Sequence, residues 1–314
     1  MREATVQRVL GVVRRLGYVR DTHAANLARQ RQYRFLFMLP AGAGEFVARI
    51  EAAVAEAAGA QVFDRVSVDV RLLPSGDSDA VTAAIQALDP ALLDGVVLMV
   101  QETPRVRDAA ARLRERGIHV VALVSDLPAR ARDYFIGINN IQAGRTAATL
   151  MGRFLGDRRG EIMVVTNSLR AHESHDRRLG FDQIMVERYP RLDVLPSLES
   201  RDDPELLAEV VTRALDRHPD IVGVYAMGGG NRMLLDTLAA AGRADGLVVI
   251  AHELTDSTRA GLLNGQVDVV ITQDVGHLVR SALRVLRALS DSAPIYDAQE
   301  RVRIEIVIRE NLPE

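Results

Sequence analysis

Six short polar segments of this chain each follow directly on an apolar run, and together they hold the side chains best able to grip a small molecule. They are residues 41–46, 125–126, 172–181, 227–231, 252–253 and 273–274. If the apolar runs are parallel strands, these segments lie at their carboxyl ends, where open α/β sheets bind ligands. The candidate contacts are Phe46, Asp126, Arg177, Asn231, Glu253 and Gln273. Guanidinium and carboxylate groups make bidentate, charge-assisted hydrogen bonds to adjacent hydroxyls, stronger than neutral ones. The chemistry expected is therefore capture of a small polar molecule. In a blander alternative, Arg177 and Asp126 simply pair with each other at a cleft rim.

Other chemistry is poorly provided for. Gly228-Gly229-Gly230 before a helix could cradle a phosphate, but no Gly-x-Gly-x-x-Gly and no lysine accompany it. His172, Glu173, His175 and Asp176 could in principle hold a metal; they lack the His-Glu-x-x-His spacing, and a polar cleft loop accounts for them better. No serine sits in a Gly-x-Ser-x-Gly elbow. The chain has no cysteine, which removes disulfides, thiolate sites and thiol nucleophiles. Every basic side chain apart from histidine is arginine, which removes Schiff-base chemistry. Neither catalysis, a cofactor nor a bound metal is expected.

The elements that must position these segments are legible as an alternation. Apolar runs at 35–39, 66–73, 95–100, 119–124, 161–166, 221–226, 247–251, 267–272 and 302–308 predict strands. Several are unbroken Val/Ile/Leu runs, as parallel strands covered on both faces require. Helical periodicity fills the gaps at 46–58, 78–88, 105–116, 141–155, 177–189, 204–217, 231–241, 257–263 and 276–289. The fold class expected is α/β, with doubly wound parallel sheets. Nine strands are many for one sheet, and 314 residues with 48% hydrophobic content suit two lobes. No apolar run is long enough to span a bilayer and no secretory leader is expected, so a cytoplasmic protein is anticipated.

The amino-terminal stretch differs from the rest. Residues 1–32 carry seven arginines against Glu3 and Asp21, a balance of +5 in a chain of net charge −3. Such a basic end on an acidic body suits contact with nucleic acid, although a solvated arginine-rich helix would look the same. Val6, Val9, Leu10, Val13 and Leu16 make an apolar helical stripe that stops at Gly17. Asp21 or Thr22 can cap a second, short helix reaching about Arg29.

Thr5, Val9, Leu16, Tyr18, Ala24 and Leu27, followed by the strand at 35–39, resemble the headpiece-to-sensor junction of lactose-repressor (LacI/GalR) family regulators. Val6, Arg20 and Asp21 depart from that family's usual Arg, Pro and Asn. The resemblance implies that residues 1–32 are a headpiece remnant plus hinge helix, its helix-turn-helix truncated. Leu27 would be a minor-groove wedge, with Ala24 and Arg20 beside the DNA. It implies a type I periplasmic-binding-protein core at 33–314, crossed three times by the chain. One lobe would hold about 33–139 and 274–300, the other about 140–273 and 301–314. Arg177-x-x-Gly180-Phe181 matches the ligand arginine of sugar-responsive relatives; Asp126, Glu253 and Gln273 fall at their other sugar contacts. Glu45 stands where sugar binders often carry an aromatic, and tryptophan is absent, so a polyol, furanose or other small polar ligand suits as well as a pyranose.

The function expected is a ligand-responsive transcriptional regulator of the lactose-repressor type. A small sugar or polyol in the inter-lobe cleft would control binding of a homodimer to operator DNA. The alternatives are a solute-binding protein with no DNA-binding role, and an enzyme of doubly wound fold.

Overall fold

A computed structural model describes residues 32–42, 44–60, 65–74 and 76–313, with residues 7, 8, 11, 12 and 15 as isolated helical positions before them. Arg20, Ala24 and Leu27 lie outside the described residues. The first sheet is built from β1 (Tyr33–Pro40), β2 (Val66–Leu73), β3 (Gly95–Leu98), β4 (His119–Leu123) and β5 (Tyr134–Ile136). Its order is β2-β1-β3-β4-β5, with every pair parallel. The second contains β6 (Gly160–Thr166), β7 (Leu192–Val194), β8 (Leu198–Glu199), β9 (Ile221–Ala226), β10 (Val248–His252), β11 (Val269–Thr272) and β12 (Glu305–Val307). Its order is β12-β11-β10-β9-β6-β7, with β8 also on β6 and only β12 antiparallel. Without β12, both sheets follow one doubly wound plan.

Helices α1 (Gly44–Ala60), α2 (Ser78–Gln86) and α3 (Pro104–Glu115) alternate with the first strands. Then come α4 (Asn140–Leu155), α5 (His172–Arg188), α6 (Pro204–Arg217), α7 (Asn231–Ala240), α8 (Asp256–Asn264), α9 (Val275–Asp291) and the short α10 (Asp297–Glu300). Their starts follow local chemistry: Thr103 caps α3 and Asp203 caps α6, each with proline in the first turn.

The two-residue period of β1 explains how its unbroken apolar run is used. Phe35, Phe37 and Leu39 join one core, shared with α1, α9 and α4; Leu36 and Met38 join another, under α2 and α3. The far face of the second sheet is covered by α6, α7 and α8. Helix α9 packs on the first sheet and on α1, whereas β12 returns to the second sheet. The chain thus passes between sheets three times, at 137–139, 273–274 and 292–304. Asn139 and Asp274 end the first two passages by capping α4 and α9.

Two departures from expectation matter for the site. Strands β5, β7 and β8 were not foreseen, being at most three residues long. Helix α5 begins at His172, so His172, Glu173, His175 and Asp176 are helical and do not form the cleft loop expected of them. The polar first turns hide the helical period there. Among the described residues no group of three such side chains could hold a metal ion, and no helix is long and apolar enough to cross a membrane.

Candidate functional site

Arg177 is held in place by glycine. A Cβ on Gly144 of α4 would stand 2.0 Å from the Arg177 carbonyl oxygen, and one on Gly180 of α5 would stand 2.1 Å from that of Ile141. The two helices therefore meet backbone to backbone, which only glycine allows. This contact sets Arg177 above the first turn of α4, 3% exposed. Its Nε donates to Asn140 Oδ1 at 2.8 Å and its Nη1 to the Met227 carbonyl at 2.5 Å. Its Nη2 reaches Glu253 Oε1 at 3.3 Å.

Glu253 closes the network from the end of β10. Gln273 Nε2 donates to its Oε1 at 3.0 Å, and Asn231 Nδ2 donates to the neighbouring His252 carbonyl at 3.0 Å. The backbone of Glu253 has φ of 69°, a left-handed conformation uncommon outside glycine. Burial pushes its carboxyl up, and Arg177 and Gln273 pull it back only in part. Beneath lies His252, fully buried and paired with the Tyr225 hydroxyl at 2.8 Å. Burial, then the Arg177 charge, hold its imidazole well below the ordinary range, so it is neutral.

Above this network is a cavity of about 730 Å³ between the two lobes. Its walls differ. From the first lobe come mainly apolar side chains, among them Phe46, Met99, Val100, Val106 and Val124. From the second come polar ones, including Asn167, Glu173, Arg177, Asp202, Asn231 and Glu253. Several buried atoms have no hydrogen-bond partner: Ser125 Oγ, Glu173 Oε2, Asn231 Oδ1, His252 Nδ1 and Glu253 Oε2, all on residues of the cavity wall. Buried polar groups rarely stay unpaired in a folded protein, so this concentration marks where something polar belongs.

One clasp spans the cavity. Glu45, in the first turn of α1, accepts the Ser257 backbone N–H at 3.0 Å and its hydroxyl at 2.9 Å. Arg232 of α7 pairs with the other carboxylate oxygen. Partial burial disfavours the Glu45 charge, but hydrogen bonds from Ser257, Thr255 and Arg232 outweigh it and hold the carboxyl down at about 2.

Of the residues expected from sequence, Phe46, Arg177, Asn231 and Glu253 line the cavity. Gln273 stands one step behind, against Glu253, with its own Oε1 unpartnered. Asp126 is not part of the wall. Its carboxylate is engaged by both Arg132 Nε and Nη2, the latter at 2.8 Å, and its neighbour Ser125 faces the cavity instead. Nor do Arg177 and Asp126 pair. Sequence reasoning missed Asn167, Glu199 and Asp202. Asn167 directly follows β6 and was open to the strand-end rule, whereas Glu199 and Asp202 depend on the two-residue β8.

Comparisons with known proteins agree on the architecture. A sugar-complexed solute-binding protein of an ABC transporter from Burkholderia graminis, solved with D-arabinose, has 23% identity and a TM-score of 0.79, over 89% of this chain and 96% of that one. One from Agrobacterium vitis, solved with D-fucose, has 17% identity and a TM-score of 0.80, over 88% and 96%. A protein from Bacteroides fragilis assigned as a LacI transcriptional regulator has 19% identity and a TM-score of 0.76, over 90% and 98%. At such identities the likeness is one of fold. No curated protein sequence matches the chain. The family model described as periplasmic binding protein domain matches residues 35–293, well over half the chain, and the protein belongs to that family.

Proposed function

We propose that this protein captures a small sugar or polyol between its lobes. The observation that carries this is the set of unpartnered buried polar atoms around Arg177, in a cavity whose volume suits a monosaccharide-sized ligand. Arg177, Glu253 and Asn231 offer a guanidinium, a carboxylate and an amide to adjacent hydroxyls, while Phe46 and its apolar neighbours cover the carbon face. The sugar ligands of the structural relatives support the same class. Among aldoses, polyols and their amino derivatives, at least one compound should raise the melting temperature; at a hundredfold excess over Kd the gain is about 2.7 kcal/mol. No shift from any member would overturn the reading.

A solute-binding role fits most of the structural relatives. A second reading, in which ligand controls operator DNA through a homodimer, is favoured by Thr5, Val9, Leu16, Tyr18, Ala24 and Leu27 and by the regulator from Bacteroides fragilis. In it residues 1–32 are the hinge-bearing segment and Leu27 wedges into the minor groove beside its twin. Such a short helix orders only when paired, so sedimentation at micromolar concentration should show a dimer. A monomer would overturn this second reading and leave the first standing.

A further inference from the structure

The unpartnered atoms of the cavity are unequal in kind. Glu173 Oε2, Glu253 Oε2 and Asn231 Oδ1 can only accept a hydrogen bond; a protonated carboxyl would be the one exception. The amide of Asn231 is oriented by its Nδ2, which already donates to His252, so its oxygen is what remains. Ser125 Oγ and His252 Nδ1 can serve either way, depending on rotor and tautomer. A matching ligand must be rich in donors.

Charge points the same way. Of the carboxylates on the wall, Glu45 is matched by Arg232, Glu253 by Arg177, and Asp77 is spent capping α2. Glu199 accepts the Leu169 N–H. Glu173 and Asp202 remain, and among the described residues neither meets an arginine within ion-pair distance. Partial desolvation raises the Asp202 carboxyl, against a hydrogen bond with Asn167, and the nearby Glu173 charge adds to the rise. Arg170 and Arg201 also line the cavity and, like Asp202, are exposed, whereas the Glu173 Oε2 atom is buried and unpartnered.

The backbone leaves room between the two charge centres. A Cβ on Gly228 would stand 3.6 Å from Arg177 Nη1, and one on Gly229 would stand 3.6 Å from Asp202 Oδ1. The Gly229 Cβ would also meet the Asn167 side chain, at 3.3 Å, so the glycine tract runs from the guanidinium to Asn167 and Asp202.

Resting on the sugar-or-polyol reading, we propose that the ligand bears a protonated amine: an amino sugar or amino polyol, with its ammonium toward Glu173 and Asp202 and its hydroxyls toward Arg177, Asn231 and Glu253. An ammonium supplies three donors and no acceptor, and it brings the charge the acidic pair lacks. The Arg177 end is closed to it by like-charge repulsion.

The test compares D-glucosamine and D-galactosamine with D-glucose, D-galactose and the uncharged N-acetyl amino sugars, by melting temperature and calorimetry at pH 7. The amines should bind about tenfold or more tighter than their neutral counterparts, the size of one charge-assisted contact. Glu173→Gln and, separately, the exposed-site Asp202→Asn should abolish that preference while leaving the melting temperature without ligand little changed. Binding of neutral sugars with no gain from the amine, or a gain that survives both substitutions, overturns the amine and leaves the sugar cleft standing. Absence of binding by every compound overturns both.

Discussion

The two lobes share a plan down to one backbone detail, and differ in what they hang on it. In each, the residue after the fourth strand has a positive φ: Val124 at 63° after β4, Glu253 at 69° after β10. In each, its N–H bonds to a carbonyl of the fifth strand, Ile136 in one and Ile271 in the other, at 2.9 Å. A β-branched valine is strained in that conformation, so the kink belongs to the scaffold and is tolerated whatever side chain occupies it. The first lobe puts an apolar cover at this point. The second puts there the carboxylate that anchors Arg177, so the buried polar network is concentrated in one half of a symmetric frame.

The sharpest way to break that division is Arg177→Ala. It leaves Glu253 buried without its cation and frees Asn140 and the Met227 carbonyl, and removal of one partner from a buried pair costs about 3–5 kcal/mol. Urea unfolding should show a loss in that range, and no ligand should shift the melting temperature of whatever protein remains folded. A loss under 1 kcal/mol would mean that the second lobe does not depend on its recognition network.

Gly144→Ala tests how the second lobe places that network. The new methyl group meets the Arg177 carbonyl, so α4 and α5 must separate, at a cost of about 1–3 kcal/mol typical of overpacking. Ligand affinity should fall as well, because Arg177 moves with α5. Unchanged affinity would detach the helix contact from the site.

Glu45 gives the smallest effect and concerns the bond between lobes. Its carboxyl is depressed from 4.5 to about 2, so the stability it contributes is full above the unfolded value and is lost as pH falls from about 5 toward 2. Melting temperature across that window should decline less steeply in Glu45→Gln. Partial exposure screens the interaction, which keeps the difference small. Identical profiles would remove the clasp.

Most of the frame was legible because parallel strands buried on both faces must be continuous apolar runs. Residues 35–39, 95–100 and 221–226 are runs of that kind, and β1, β3 and β9 lie on them. Strands β5, β7 and β8 were not legible: two or three residues, one of them Asp193 and another Glu199, carry no period. Arg177 and Glu253 could be singled out because they stand beside strand ends. The fate of Asp126 could not, since it turns on Arg132, six residues along an irregular loop, and proximity of that sort leaves no pattern in the chain. Glu173 was visible only as one member of a polar cluster. Its part in the cavity follows from α5 starting a turn earlier than the apolar period shows.

The three passages between lobes carry a mechanical consequence. Any relative movement that parts Glu45 from Ser257 must bend the chain at 137–139, at 273–274 and at 292–304 together. The last of these is tethered by Tyr134 to Asp297 and by Arg284 to Glu300. Lobes joined by one strand could wander; joined by three, they have few soft directions. On the proposed reading, three hinges make such a molecule a latch, and a ligand held between the lobes would act by changing how often it is shut.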